Sequence, residues 1–155
     1  MARSKPIRTV RVAAMDYLSR REHATQELFQ KLNAKEEYEA DDIHEALSRL
    51  IKQDLLNDQR FTESFIQQRL NRGSGPLKIR AELRQKGVSD AMIGQLLDER
   101  DTAWRESARS VRLKKYGTEQ AKDMKEKAKQ NRFLQSRGFS SEQIRYAMLK
   151  VDISD

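Results

Sequence analysis

The sequence predicts an all-α protein, organised as an elongated tandem array of three three-helix repeats that each resemble a helix-turn-helix unit. Apolar residues recur three and four positions apart along most of the chain, which is the pattern of amphipathic helices. A short motif around a glycine returns with a period near 50 residues. Of the 155 residues, 37% are hydrophobic and 35% are charged, so the composition favours slender helical layers over one thick core.

The repeated motif joins two short helices through a glycine turn. Residues 83–89 read Leu-x-x-Lys-Gly-Val-Ser, and residues 134–140 read Leu-x-x-Arg-Gly-Phe-Ser, 51 positions later. A looser copy, Leu-x-x-Lys-Leu, occupies residues 28–32. A cation in the last turn followed by glycine is typical of a helix end, and the serine is a good cap for the next helix. Because a further helix precedes each pair, we expect three helices per repeat.

The signals for helix starts and stops divide the chain into segments. We expect a flexible basic N-terminus over residues 1–9 and three-helix repeats over residues 10–56, 57–100 and 101–151, with the last apolar stripe reaching Val151. The predicted helix boundaries are Ala24 or Thr25, Asn57 or Asp58, Pro76, Gly87, Ser89, Gly117 and a capping box of Ser140 with Gln143.

The residue types that are present exclude several classes of protein. There is no cysteine, which excludes disulfides, thiolate metal sites and cysteine nucleophiles. No apolar run approaches the length of a membrane-spanning helix, and the first residues lack the apolar core of a signal peptide. We therefore expect a soluble cytoplasmic protein that does not bind membranes.

No combination of residues predicts catalysis, a metal or a cofactor. The two histidines, His23 and His44, have no metal-ligand spacing, and we expect each at the surface or at a helix end. The glycines before Pro76 lack the spacing and the preceding strand of a phosphate-binding loop. Free N–H groups at the start of that helix, near Lys78 and Arg80, would suit one phosphate or carboxylate, and a plain helix start is the alternative. The sequence favours a binding protein over an enzyme.

The distribution of charge points to an anionic partner. The net charge is +7, yet residues 21–57 carry five basic and nine acidic side chains, while the segments on both sides are basic. A basic face attracts phosphate backbones or acidic protein surfaces, and plain solvation of the helices is the alternative interpretation.

Four stretches resemble motifs of the RecX family of bacterial recombination regulators. Residues 55–61, Leu-Leu-Asn-Asp-Gln-Arg-Phe, are similar to the family's Tyr-Leu-Asp-Asp-x-Arg-Phe segment. Residues 72–87 are similar to its central motif, Arg-Gly-x-Gly-Pro-x-x-Ile followed by Glu-Leu-x-x-Lys-Gly, and residues 21–32 and 132–139 are similar to its first and third repeats. The chain departs from the pattern at Leu55, where an aromatic residue is common, and at Ala24, where a serine or threonine cap is common.

The resemblance implies a partner and an activity. RecX proteins bind the RecA recombinase, chiefly as a filament on DNA, and mostly restrain its ATP hydrolysis, its strand exchange and its assistance of repressor self-cleavage. The expected partners of this chain are therefore the RecA filament and, weakly, single- and double-stranded DNA, with the free protein a monomer that needs no cofactor. We expect it to lie in the filament groove, bridge neighbouring subunits, block filament growth and promote disassembly.

Charge and position suggest the contact residues. The candidates for partner or DNA binding are Arg69, Arg72, Lys78, Arg80, Arg84 and Lys86 in the middle repeat, and Arg112, Lys115, Arg132 and Arg137 in the third. An alternative function is a DNA-binding transcriptional regulator similar to helix-turn-helix proteins, which predicts sequence-selective duplex binding with a steep dependence on salt.

Overall fold

A computed structural model of the chain describes residues 8–149, and these residues form nine α-helices and no β-strand. The helices are α1 (Val10–Arg20), α2 (Thr25–Ala34), α3 (Ala40–Lys52), α4 (Asp58–Asn71), α5 (Pro76–Gln85), α6 (Asp90–Leu96), α7 (Ala103–Tyr116), α8 (Met124–Ser136) and α9 (Ser141–Ala147). The all-α class and the three successive three-helix repeats are confirmed. Residues 1–7 of the expected basic N-terminus, and Val151 in the last apolar stripe, lie outside the described residues.

Local signals set most helix ends at the predicted residues. Pro76 is the first residue of α5, and Gly117 follows the last residue of α7. The Ser89 hydroxyl accepts a hydrogen bond from the Met92 N–H at 3.2 Å, and Ser140 forms a complete capping box with Gln143. These side chains satisfy N–H groups that a helix start leaves without a backbone partner, so each cap favours the start that the sequence indicated.

The start of α2 lacks a side-chain cap of its own, because its N-cap residue is Ala24. Asp58, at the start of α4, supplies the missing acceptor: its Oδ1 atom accepts hydrogen bonds from the Thr25 N–H at 2.7 Å and from the Thr25 hydroxyl at 2.9 Å. The carboxylate also carries the negative charge that a helix N-terminus favours. The departure from the family pattern at Ala24 is therefore compensated from a position 33 residues away.

The chain divides into two compact units, and each unit contains part of the second repeat. Among the described residues, the first unit comprises residues 8–65 and 83–93, so it includes the beginning of α4 and the turn between α5 and α6. Its core forms where α1, α2 and α3 pack together and where Leu56 closes the repeat. The core residues are Ala13, Ala14, Leu28, Leu32, Tyr38, Ile43, Leu47, Leu50 and Leu56.

Among the described residues, the second unit comprises residues 66–82 and 94–149, in which α7 packs mainly on α9 and also on α8. Backbone hydrogen bonds join two of its turns: the Gly75 N–H donates to the Arg137 carbonyl at 2.6 Å, and the Leu77 N–H donates to the Gly138 carbonyl at 2.9 Å. A Cβ atom on Gly75 would lie 2.5 Å from the carbonyl carbon of Gly138. Only glycine allows the two backbones to approach this closely. This junction fixes Arg137 beside the end of α4.

Candidate functional site

The candidate contact residues of the middle repeat are mostly engaged in ion pairs within the protein. Four of the six hold a carboxylate: Arg69 binds Glu82 at 2.9 Å, Arg80 binds Glu99 at 2.8 Å, Arg84 binds Asp90 at 2.8 Å and Lys86 binds Glu27 at 2.5 Å. Arg72 and Lys78 form no ion pair with any residue of the described part of the chain, and both are exposed. The structure thus separates the six residues into an internally neutralised group and two cations that face solvent.

The pair of Lys86 and Glu27 belongs to a charged cluster in the first unit. Glu27 is only 6% exposed, and its carboxylate accepts hydrogen bonds from both ends of the Arg21 guanidinium and from the Lys86 ammonium. Burial raises the pKa of this carboxyl, but the hydrogen bonds from Arg21 and Lys86 outweigh burial and lower the pKa to about 2. Lys86 therefore holds the turn between α5 and α6 against α2.

Arg112 is not available to a partner, and its place among the candidate contacts is corrected. Its side chain is 0% exposed, with the Nε atom donating to Gln130 Oε1 at 2.9 Å and the Nη2 atom donating to the Glu119 carbonyl at 3.1 Å. Burial, and to a smaller degree the charge of Arg109, lowers the pKa of the guanidinium. Arg112 therefore links α7 to α8 through a buried hydrogen bond.

Three of the remaining candidates, Arg72, Lys115 and Arg137, meet along one groove of the second unit. This groove has a volume of about 590 Å³ and is bounded by the end of α4 with its following turn, by α7 and by α8. Its lining comprises the cations Arg72, Lys114, Lys115 and Arg137, the apolar residues Leu70, Val111 and Phe133, and Asn71, Gly73, Glu106, Ser107 and Ser110. We name it the cationic groove. Lys78 and Arg132 do not line it and are exposed.

An aromatic ring holds the cations of this groove in place. The Lys115 ammonium lies 4.1 Å from the centre of the Phe133 ring, and the Arg137 guanidinium lies 5.2 Å from it. Arg137 also donates a hydrogen bond to the Arg72 carbonyl at 3.2 Å, while Tyr116 packs edge-on against Phe133 with ring centres 5.6 Å apart. Cation–π contacts restrict these long side chains, so the charges are positioned before an anion arrives.

The single carboxylate of the groove lining, that of Glu106, is hydrogen-bonded to a side chain outside the lining. Glu106 accepts a hydrogen bond from the Tyr146 hydroxyl, and this bond raises the pKa of the phenol. The guanidinium groups of Arg105 and Arg109 lie 4.8 and 4.2 Å from the centre of the Tyr146 ring. The groove lining therefore combines four cations with one carboxylate, and a phenol from α9 holds that carboxylate in place.

Models of the RecX family match the chain in three consecutive stretches. The first three-helix domain matches residues 11–50, the second matches residues 57–97 and the third matches residues 105–148. The chain belongs to the RecX family.

Relatives and solved structures agree with this membership. A Regulatory protein RecX of Halorhodospira halophila is 40% identical over 146 residues, which is 94% of this chain and 90% of the relative. A second Regulatory protein RecX, of Vibrio vulnificus, is 43% identical over 143 residues, which is 92% of this chain and 93% of the relative. The crystal structure of RecX from Lactobacillus salivarius is similar with a TM-score of 0.72 and 26% identity, covering 89% of this chain and 91% of that structure.

Two alternatives that the sequence left open are resolved in the structure of this RecX chain. The helix start at Pro76 is a plain start and not an anion site, because the N–H groups of Gly75 and Leu77 are already bonded to carbonyls of the α8–α9 turn. His23 lies at a helix end as expected, but it is 2% exposed and not at the surface. Its ring contacts the Arg21 carbonyl and the Lys31 ammonium, each at 3.1 Å, and burial lowers its pKa.

His44 is exposed and stacks on Phe29 with ring centres 4.4 Å apart. Across residues 8–149, no three histidine or acidic side chains are grouped in a way that would bind a metal ion. Nor does this part of the chain contain a helix long and apolar enough to cross a membrane.

Sequence reasoning found the groove only in part. Lys114 and Phe133 were not among the candidates, although both line it. A helical signal was present for one wall, since residues 107, 110, 111 and 114 follow the spacing of a single helix face. The approach of α4 and α8 to that face brings together residues 18 or more positions apart, such as Lys115 and Phe133, which no local pattern indicates.

Proposed function

We propose that this chain binds the RecA recombinase, chiefly as a filament on DNA, and restrains its ATP hydrolysis, its strand exchange and its assistance of repressor self-cleavage. It acts in the cytoplasm as a monomer, by binding alone, without catalysis or a cofactor. The observation that carries the proposal is the succession of three RecX domains, over residues 11–50, 57–97 and 105–148, together with relatives named Regulatory protein RecX.

The charges of the described residues support contact with a filament that contains both protein and DNA. The cationic groove and the exposed Lys78 and Arg132 suit phosphates or acidic surfaces, while the exposed carboxylates of Asp41 and Asp42 in the first repeat suit a basic one. In this mechanism the chain lies in the filament groove and bridges neighbouring subunits, so that it blocks growth and promotes disassembly.

The alternative, a transcriptional regulator that reads duplex DNA, is opposed by the third helix of each repeat. In helix-turn-helix proteins the first residues of the recognition helix contact base edges in the major groove. Here the first turns of α3, α6 and α9 carry Asp41 with Asp42, Asp90 and Glu142, and all four are exposed. Arg84 already pairs with Asp90, but the carboxylates of Asp41, Asp42 and Glu142 repel the phosphates that flank the groove.

The test of the proposed function is ATP hydrolysis by RecA assembled on single-stranded DNA, titrated with this protein well below one molecule per recombinase subunit. We expect hydrolysis to fall at these low ratios, because one bound molecule that blocks growth affects many subunits. A matched titration with the same protein after thermal unfolding is the control. Unchanged hydrolysis, combined with sequence-selective binding of bare duplex DNA, would overturn the proposal and favour the transcriptional regulator.

A further inference from the structure

His23 is a buried titratable group whose two ring nitrogens are both bonded within the first unit. The residue is 2% exposed, and its Nδ1 atom lies 3.1 Å from the Arg21 carbonyl oxygen while its Nε2 atom lies 3.1 Å from the Lys31 ammonium. A carbonyl can only accept a hydrogen bond, and an ammonium can only donate one. The Nδ1 atom therefore carries the proton and Nε2 is the acceptor, so these two partners hold the imidazole in one neutral tautomer.

We propose that His23 is a proton-sensitive latch of the first unit, closed while the imidazole is neutral and opened when the ring takes up a proton. A proton on Nε2 converts this acceptor into a donor that faces the donating ammonium of Lys31, so the hydrogen bond is lost and two positive charges meet. The ring or the lysine then has to leave its place. The latch requires no recombinase, so it can be tested separately from the proposed function.

The surroundings of the ring oppose its protonation. Burial lowers the pKa of His23 below its ordinary value of 6.5, and the positive charges of Arg21 and Lys31 lower it further. The hydrogen bond to the Arg21 carbonyl and the charge of Glu27 act in the opposite direction but do not outweigh them. From α1, the Tyr17 ring packs beside the imidazole with ring centres 5.7 Å apart.

Further charged groups on the elements around this site are in contact with residues other than His23. They are Glu22 before α2, Lys35 after α2, Asp58 and Arg60 of α4, and Lys86 of the α5–α6 turn. The charges in direct contact with the imidazole are therefore those of Lys31 and of the segment that begins at Arg21.

Arg21 connects the latch to the α5–α6 turn. Its carbonyl accepts the hydrogen bond from His23, and its guanidinium binds Glu27 at 2.7 Å, the carboxylate that also binds Lys86 of the turn. When the protonated ring leaves its place, the Arg21 backbone loses this contact, and the carboxylate that anchors the turn has a less firmly positioned partner. Protonation of His23 thus weakens the contact between the turn and α2 without changing any charge of the turn.

The first experiment identifies the tautomer by nitrogen NMR of the full chain with isotope-labelled histidine, between about pH 8 and about pH 5. The chain has two histidines, and the exposed His44 is the internal reference. We expect His23 to carry its proton on Nδ1 and to remain neutral at 6.5, the ordinary pKa of histidine. A charged His23 at about pH 7, or a neutral ring with its proton on Nε2, would overturn the latch.

The second experiment measures hydrogen exchange of the Val88 amide, which donates to the Leu83 carbonyl at 3.1 Å in the α5–α6 turn. The open form takes up the proton more readily than the closed form, so we expect the protection of this amide to fall by up to about tenfold per pH unit below pH 6.5. Glu27 does not cause a change above about pH 5, because its carboxyl is charged there in both forms. Protection that stays constant between pH 6.5 and about pH 5 would contradict the proposal.

Two lysines provide a matched pair of variants. The ammonium groups of Lys31 and Lys35 lie 5.3 and 5.2 Å from the centre of the Tyr17 ring, and of the two Lys31 also bonds to His23. Lys31→Met removes the charge that opposes protonation, so the dependence of Val88 protection on pH should decrease from about tenfold to about threefold per pH unit. Lys35→Met is the control and should keep the wild-type profile.

His23→Asn offers an amide N–H to the Arg21 carbonyl but has no ring to protonate, so the fall in protection above about pH 5 should disappear. Circular dichroism establishes whether each variant folds, and the lysine pair tests the latch even where His23→Asn does not fold. A Lys31→Met profile equal to that of the wild type, or an equal change in Lys35→Met, would overturn the latch. Inhibition of RecA is measured separately at about pH 7.5, where the latch is closed, so the proposed function stands or falls on its own result.

Discussion

The charged cluster of the first unit and the cationic groove of the second contain similar cations in opposite circumstances. Around Glu27, the cations Arg21 and Lys86 converge on a buried carboxylate, and Lys86 thereby holds the α5–α6 turn against α2. In the groove, Lys115 and Arg137 rest on the Phe133 ring and have no carboxylate of their own among the described residues. Net charge alone therefore does not locate a binding surface. A cation serves a partner only where the protein has not already neutralised it.

The largest effect on stability is expected at Arg112. This cation belongs to the second unit, as the cationic groove does, but it is buried and bonded within the protein, as Glu27 is in the first unit. We predict that Arg112→Ala destabilises the protein by about 3 kcal/mol, since it leaves a cavity and removes the hydrogen bonds to Gln130 and Glu119. The measurement is the free energy of unfolding in urea. Arg132→Ala is the control, since an exposed arginine without an ion pair should change stability by less than about 0.5 kcal/mol. Equal effects of the two substitutions would contradict a structural role for Arg112.

The second prediction concerns the centre of the first unit's cluster. Glu27→Gln leaves Arg21 and Lys86 without their shared charge, and we expect a loss of about 2–3 kcal/mol in the free energy of unfolding. Both cations reach solvent, which keeps the loss below that of a fully enclosed pair. Glu45→Gln breaks only the exposed pair with Arg49 and should cost at most about 0.5 kcal/mol.

The same cluster makes stability depend on pH in a defined direction. The pKa of Glu27 in the folded protein is about 2, against an ordinary value of 4.5, so the unfolded chain takes up this proton at higher pH than the folded chain. The stabilisation is therefore complete above about pH 5 and is lost as the pH falls towards 2. Urea unfolding of the wild type should weaken over this window, and Glu27→Gln should show a flatter profile. Parallel profiles would contradict the assigned pKa.

The sequence predicted those features that depend on neighbours three or four residues apart. Pro76, Ser89 and the Ser140 capping box act within a single helical turn, so their helix starts were readable directly. The contacts that could not be predicted join positions far apart in the sequence. Asp58 caps α2 from a position 33 residues away, and Lys86 binds Glu27 from a position 59 residues away. Arg112 was predicted to contact a partner because of its charge. The sequence around Arg112 does not show that α8 covers this side chain.

We expect a smaller loss of stability at the start of α2, where Asp58 replaces the side-chain cap that Ala24 cannot provide. Asp58→Ala removes the acceptor from the Thr25 N–H and hydroxyl, and we expect a loss of about 1 kcal/mol, which is typical for an N-cap. The double variant Ala24→Ser/Asp58→Ala should recover part of this stability, since the introduced serine would offer a hydroxyl at the usual capping position. Thermal unfolding of the single and double variants measures both effects. No recovery in the double variant would indicate that Asp58 acts through its charge and not as a cap.

The smallest change in the free energy of unfolding is expected for substitutions in the cationic groove. Lys114 and Lys115 are exposed and have no carboxylate partner in the described part of the chain, so Lys114→Ala/Lys115→Ala should alter the free energy of unfolding by less than about 0.5 kcal/mol for each residue. If urea unfolding instead shows a loss comparable to that of Glu27→Gln, these lysines are structural like Lys86, and the distinction between the two regions fails. If stability is unchanged while oligonucleotide binding falls, the cations of the groove act on a partner alone, because the fold does not depend on them.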